Sequence, residues 1–301
     1  RGERLLKLAN RFEEGLKGLF VPGVLFEEMG FRYFGPLEGN NLELLIPALK
    51  NIINIKGPRI LHVVTKKGKG YFAAEKEPVR FHGTGPFELQ TGEPLAAKDG
   101  QKSFTDVFGE RLVKLAENNK RIVAITAAMP EGTGLDKIRQ VFPERFFDVG
   151  IAEGHAVSFS AGLAKAGLKP VVAIYSTFLQ RAYDQIIEDV ALQNLPVVFC
   201  VDRAGIVGED GATHQGIFDL SFLNTVPDLI IMAPKDSDEF EEMLDFAVAA
   251  ERAVAIRYPR SKVFNLGLGQ KNTPLSLGKA ETLIKGEGFA VIALGAMVGP
   301  S

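Results

Sequence analysis

The residues of this 301-residue chain that could do chemistry fall into a few short segments. Glu153 and His155 lie in IAEGHAV, and Tyr175, Phe178 and Arg181 in IYSTFLQRAYDQ. Asp202, Arg203, Asp210 and His214 lie in DRAGIVGEDGATHQG, Arg260 in RYPR, and Glu131 in AAMPEGTG. Each segment directly follows a short apolar run: RIVAIT, FFDVG, PVVAIY, PVVFCV or AVAIRY. Three of the four histidines (His82, His155, His214) fall in such segments or in a polar linker. Carboxyl and imidazole groups transfer protons, and guanidinium forks grip phosphate or carboxylate. The set is equipped for proton transfer on a bound anion.

Taken singly, each residue has a plainer reading. Glu153 could complement a helix dipole from the first turn. Asp202, just after a strand, reads as a turn or cap residue. Arg181 and Asp184 could form a solvated helix face. His62 reads as a satisfied core residue, and Lys66, Lys67 and Lys69 as a surface charge run. The 22 phenylalanines are mainly core. GIVGEDG lacks the spacing of a dinucleotide fingerprint, and GKGKGY lacks the ending of a phosphate-binding P-loop.

Positioning these segments falls to an alternation that begins at Ser103. Ser103 and Asp106 predict a capping box opening the helix SFTDVFGERLVKLAENN. Then follow strand RIVAIT, a short helix near 134–141, strand FFDVG, and a helix over 153–166 closed by Gly167. Strand PVVAIY leads to a helix over FLQRAYDQIIEDVALQN. Strand PVVFCVD leads to a Gly-rich loop. LIIMAP, DSDEFEEMLDFAVAA and AVAIRY complete the series. This is an α/β pattern: a doubly wound, mostly parallel sheet covered on both faces. In such sheets ligands bind outside the carboxyl ends of the strands, where the reactive segments lie.

Before this domain, LLKLANRFEEGLKGLF and LELLIPALKNII predict helices, FRYFGPLEGNN a turn-rich linker, and RILHVVTKK a buried strand. Residues 83–102 are rich in Gly, Pro and polar residues, which suits a domain boundary. The run from about 280, with FAVIALGAM, predicts the start of a further strand-rich unit. The chain begins at Arg1 and stops soon after that run, and both ends read as cuts in a longer protein.

With Lys+Arg 35 against Asp+Glu 37, the net charge of -2 favours neither nucleic acid nor an anionic membrane. No apolar run approaches the roughly 18 residues of a membrane helix. A single cysteine, Cys200, in an apolar run suits a reducing, cytoplasmic compartment.

In their order and spacing, IAEGHAV, IYSTFLQRAYDQ, DRAGIVGEDGATHQG and RYPR resemble the family of 1-deoxy-D-xylulose-5-phosphate synthases, transketolase-like enzymes. YFGP, TKKGKGY and FHGTGPF extend the resemblance over nearly the whole chain. The resemblance implies three α/β domains. Residues 1–90 would be the tail of the cofactor-diphosphate domain and 91–102 a linker. Residues 103–265 would form the pyrimidine-binding domain, and 276–301 the start of the C-terminal domain. It implies thiamine diphosphate and Mg²⁺ as cofactors, with the metal ligands upstream of Arg1. Pyruvate and D-glyceraldehyde 3-phosphate would be the substrates and 1-deoxy-D-xylulose 5-phosphate and carbon dioxide the products, in the first step of a non-mevalonate isoprenoid pathway, in a homodimer.

By the same resemblance, Glu153 would hydrogen-bond the aminopyrimidine and Phe178 stack on it. Tyr175, Arg203 and Arg260 would hold the acceptor's phosphate, with Arg181 a further arginine on that side. Asp210 and His214 would orient the acceptor and move protons. His82 would reach the same pocket. Gly154 stands where the family carries Gln, which loosens a helix start by about 0.5–1 kcal/mol. The alternatives are a free-standing, non-catalytic domain that binds a ligand or partner subunit, or another transketolase-like enzyme.

Overall fold

The computed structural model describes residues 23–95, 100–263 and 275–301. The helix expected over LLKLANRFEEGLKGLF lies outside the described residues. The chain divides after Ala97 into two compact units.

The first unit contains α1 (Val24–Glu28), β1 (Arg32–Glu38), α2 (Leu42–Ile52), β2 (Arg59–Val64) and α3 (Phe72–Lys76). The expectation of a turn-rich linker over FRYFGPLEGNN is corrected here, because Arg32–Glu38 forms a strand parallel to β2. The pairing steps out of register between Phe34 and Leu37. That step accommodates Pro36, which has no N–H for the ladder. At Gly35 a Cβ would stand 2.4 Å from the His62 carbonyl oxygen, so the strands approach closely there only with glycine. β2 is half-buried rather than buried, and His62 is satisfied by the Tyr33 hydroxyl at Nδ1. Lys66, Lys67 and Lys69 are exposed, as a surface charge run should be.

The second unit is built on six parallel strands: β3 (Ile122–Thr126), β4 (Phe146–Asp148), β5 (Lys169–Tyr175), β6 (Val198–Asp202), β7 (Ile230–Met232) and β8 (Val254–Arg257). Their order across the sheet is β4-β3-β5-β6-β8-β7. Alternate residues feed two separate cores. Ile122, Ala124, Val171, Ala173, Val198, Cys200, Val254 and Ile256 face one side, with α4 (Phe104–Asn118), α5 (Asp136–Val141) and α9 (Ser237–Ala249). Val123, Ile125, Val172, Ile174, Phe199, Val201 and Ala255 face the other, with α6 (Glu153–Lys165) and the helical run from Ser176 to Ala191. A sheet covered on both faces needs continuous apolar strands, and the sequence supplies them. Burial also raises the Cys200 thiol well above its ordinary pKa.

The switch point lies between β3 and β5. The chain leaves β3 for β4 on one side, then returns past β3 to continue through β5 and β6 on the other. That reversal opens a crevice at the carboxyl edge.

Local signals hold where they were read. Ser103 Oγ accepts from the Asp106 N–H at 3.1 Å while Asp106 Oδ2 accepts from the Ser103 N–H at 3.1 Å, closing the capping box of α4. Gly167, at φ 88, ends α6, with its N–H on the Ala164 carbonyl and that of Leu168 on Leu163.

Two expectations need correction. FLQRAYDQIIEDVALQN is not one regular helix. It passes from α7 (Ser176–Leu179) through a 3₁₀ turn (Gln180–Ala182) and α8 (Tyr183–Gln185) into a π turn (Ile186–Ala191). Such changes of winding are common where a helix must aim side chains at a site. The described residues 275–301 contain no strand, only a 3₁₀ turn at Gly295–Met297. A strand needs a hydrogen-bonded neighbour, and Phe289, Val291 and Ile292 stand exposed instead.

Candidate active site

Strand register brings the site together. Tyr175, the last residue of β5, pairs with Asp202, the last residue of β6. The Tyr175 ring stacks on Phe178 one turn later (5.8 Å between centroids) and carries the Arg203 guanidinium over its face at 3.9 Å. His214 closes the group, with its ring 5.2 Å from Phe178 and tilted by 73°. Thr213 Oγ1 lies 3.0 Å from His214 Nδ1.

Two arginines from different loops meet at one carboxylate. Arg203 Nε donates to Asp210 Oδ2 at 3.2 Å, and Arg260 Nη1 donates to Asp210 Oδ1. Arg203 Nη1 also donates to the Gly132 carbonyl oxygen, so the loop after β3 takes part. That loop comes this close because residue 132 is glycine; a Cβ there would stand 1.7 Å from the Tyr175 hydroxyl oxygen. The Tyr175 N–H points to Met129 Sδ at 3.4 Å.

Glu153 occupies the first turn of α6, which follows β4, and is 3% exposed. Its partner is Arg181 Nη1, 3.3 Å from Oε2, and Arg181 itself is 58% exposed. The tighter 3₁₀ winding at Gln180–Ala182 puts Arg181 within reach, three residues beyond Phe178. Gly154, beside Glu153, faces Gln185: a Cβ there would meet Gln185 Oε1 at 3.2 Å. Gln185 Oε1 is buried without a partner, as is Ser176 Oγ.

Electrostatics follow from burial. Asp202 is fully buried, and desolvation raises its pKa to about 6 despite the nearby Arg203 charge and hydrogen bonds from Thr105 and the Arg203 N–H. Burial raises the Tyr175 hydroxyl to about 12, against the pull of Arg203. Desolvation works against the Arg203 charge, but Asp202, Tyr175 and Asp210 outweigh it and raise its pKa. Arg203 therefore stays a cation, and Tyr175 stays a neutral donor at neutral pH.

Eight of the nine candidate residues thus form two adjoining groups: Tyr175, Phe178, Arg203, Asp210, His214 and Arg260 in one, Arg181 and Glu153 in the other. His82 lies exposed in the first unit. His155 is exposed on α6 with its ring against Phe159, and Glu131 pairs with Arg139 in solvent. The turn reading of Asp202 is incomplete: it accepts from the Arg203 N–H at 2.7 Å, but also from Thr105 Oγ1 at 2.9 Å, 97 positions away. Thr105, Gly132 and Met129 were not singled out from sequence. Only the glycine-rich loop around Gly132 carried a signal; nothing in the chain marks Thr105.

The family described as "Transketolase, pyrimidine binding domain" matches residues 100–264, and that described as "1-deoxy-D-xylulose-5-phosphate synthase" matches residues 1–65. The chain is 56% identical over 302 residues to the 1-deoxy-D-xylulose-5-phosphate synthase of Syntrophus aciditrophicus, covering 100% of this chain and 46% of that protein. It is 53% identical over 300 residues to the synthase of Halothermothrix orenii, covering 100% and 47%. The chain spans about half the length of the curated relatives it matches.

Among solved structures, a split gene transketolase described as an inactive beta4 tetramer is 29% identical with a TM-score of 0.58, covering 66% of this chain and 64% of that one. The transketolase of Campylobacter jejuni, 19% identical with a TM-score of 0.51 over 82% of this chain and 50% of its own, shares the fold. With the sheet, the buried glutamate at its edge and a family match over more than half its length, the chain belongs to the transketolase pyrimidine-binding domain family.

Proposed function

We propose that this chain supplies the pyrimidine side of the active site of a 1-deoxy-D-xylulose-5-phosphate synthase. The reaction is the thiamine-diphosphate-dependent condensation of pyruvate with D-glyceraldehyde 3-phosphate, giving 1-deoxy-D-xylulose 5-phosphate and carbon dioxide. The observation that carries this reading is Glu153, a buried carboxylate at the strand-end crevice beside the run that bears Phe178.

The residues suit an aminopyrimidine. A carboxylate and an aromatic ring are what a flat heterocycle with ring nitrogens needs for recognition. Two buried polar atoms without partners, Ser176 Oγ and Gln185 Oε1, lie on the helical run that bears Phe178 and Arg181. They do not suit the metal. Among the described residues no group of three or more His, Cys, Asp or Glu could hold an ion. The ligands of Mg²⁺ and of the diphosphate are therefore assigned to residues other than these.

Thiamine diphosphate, when bound, supplies the nucleophilic carbon and electron sink of the reaction. Glu153 shares a proton with the pyrimidine nitrogen N1′ through a carboxyl oxygen. Phe178 offers its face to the ring. Arg203, Arg260 and the Tyr175 hydroxyl hold the acceptor's phosphate, and Arg181 adds positive charge beside Glu153. Asp210 and His214 orient the acceptor and move the proton that its carbonyl oxygen takes up. By the family pattern His82 is a further catalytic residue and the working protein is a homodimer.

The test is Glu153→Gln in the full-length protein, assayed with pyruvate and glyceraldehyde 3-phosphate. Turnover should fall by about 10²–10⁴-fold, the usual worth of a positioned proton-transfer group. Rates close to the unaltered protein overturn the reading.

A further inference from the structure

Asp202 has no part in the reading above, yet it is 0% exposed in the middle of the site. Removing a carboxylate from water is costly, and a buried ion pair seldom adds net stability. Its side chain is held between two partners, Arg203 and Thr105. Oδ1 accepts the Arg203 N–H at 2.7 Å and lies 3.2 Å from Arg203 Nη1, while Thr105 Oγ1 donates to Oδ2 at 2.9 Å. Arg203 has φ 59, in the left-handed region that a side chain makes unfavourable. The bond from its N–H to Asp202 helps hold it there.

The guanidinium is then fixed on three sides. Nη1 meets Asp202 and the Gly132 carbonyl oxygen, Nε meets Asp210, and the Tyr175 ring lies beneath. None of these contacts uses Nη2, whose N–H pair is left for a ligand. A guanidinium pinned in this way loses little freedom when it grips an anion.

We propose that Asp202, anchored by Thr105, is a positioning residue that presents the Arg203 guanidinium to a phosphate-bearing ligand and so sets the affinity of that subsite. This rests on the reading of Arg203 as a phosphate-binding group.

The experiment is titration of the full chain with inorganic phosphate, followed by calorimetry, together with proton exchange at the Arg203 Nε–H read by ¹⁵N NMR. The unaltered chain binds phosphate and Arg203→Met abolishes binding. Asp202→Asn weakens binding roughly tenfold, as loss of a charged hydrogen-bond partner implies. Thr105→Val, nearly the same shape, weakens it a few-fold and keeps the test available if Asp202→Asn does not fold. In both variants exchange at the Arg203 Nε–H quickens. Unchanged phosphate binding in Asp202→Asn and Thr105→Val, or weaker binding with unchanged Nε–H exchange, overturns the positioning role and leaves the subsite standing. No phosphate binding by the unaltered chain, or binding that survives Arg203→Met, overturns the subsite and the positioning role together.

Discussion

The two units make opposite use of similar apolar content. In the second, both faces of a six-stranded sheet are covered, and Phe104, Phe108, Phe240 and Tyr258 meet in a fully buried aromatic cluster. In the first, α2 is amphipathic yet buries none of its residues, and Leu42, Leu44 and Leu49 are exposed. An open hollow of ≈ 290 Å³ lies between β1, α2 and β2, lined by Phe34, Leu37, Ile52 and Leu61 among others. The difference shows that amphipathic spacing predicts a helix but not its cover. The second unit closes its own core and can hold a site rigid; the described part of the first leaves apolar surface open.

Substitutions should separate the two units clearly. The largest effect is expected from Phe240→Ala, whose ring lies 4.6 Å from that of Tyr258 in the closed core. It should cost about 3–5 kcal/mol in urea unfolding monitored on the second unit. A cost below about 1 kcal/mol would mean that this core is loosely packed and the contrast false.

Next is the pH dependence carried by Asp202. Its pKa is about 6 in the fold against 3.8 unfolded, so between these values the folded state binds more protons. Its contribution to stability is therefore fully present below about pH 4 and lost as pH rises through about 6. Relative to Asp202→Asn, the unaltered chain should gain on the order of 1–3 kcal/mol between pH 7.5 and pH 4.5. A flat or reversed difference contradicts the burial of this carboxylate.

Smaller is the cap of α4. Ser103→Ala removes one half of the capping box and should lower stability by about 1 kcal/mol, measured as a shift in the urea midpoint. Smallest are Leu44→Ala and Leu49→Ala on α2, expected within about 0.5 kcal/mol. A loss of 2 kcal/mol or more at either position would show that α2 is covered after all, and the comparison would collapse.

Much of the second unit was legible in the chain. Its strands are short apolar runs, and Ser103, Asp106 and Gly167 announce helix ends through bonds made within a few residues. The edge location of Tyr175, Phe178, Arg203 and Arg260 followed from the rule that loops after parallel strands face the crevice. FRYFGPLE was misread because Gly35 and Pro36 signal a turn locally, while pairing with β2, over 20 residues away, outweighs that signal. FAVIALGAM was misread for the converse reason: it has strand composition but no strand partner among the described residues.

The sequence by itself determined the alternation of elements, the doubly wound class and the segments that carry the reactive groups, because periodicity and capping are short-range. Only the tertiary structure decided which groups touch. Strand register set Tyr175 beside Asp202. A change of helical winding brought Arg181 to Glu153, and the fold carried Thr105 to Asp202 across 97 positions. Those contacts depend on packing between distant segments, and burial then pushed the Asp202 carboxyl up to about 6, which no local pattern encodes.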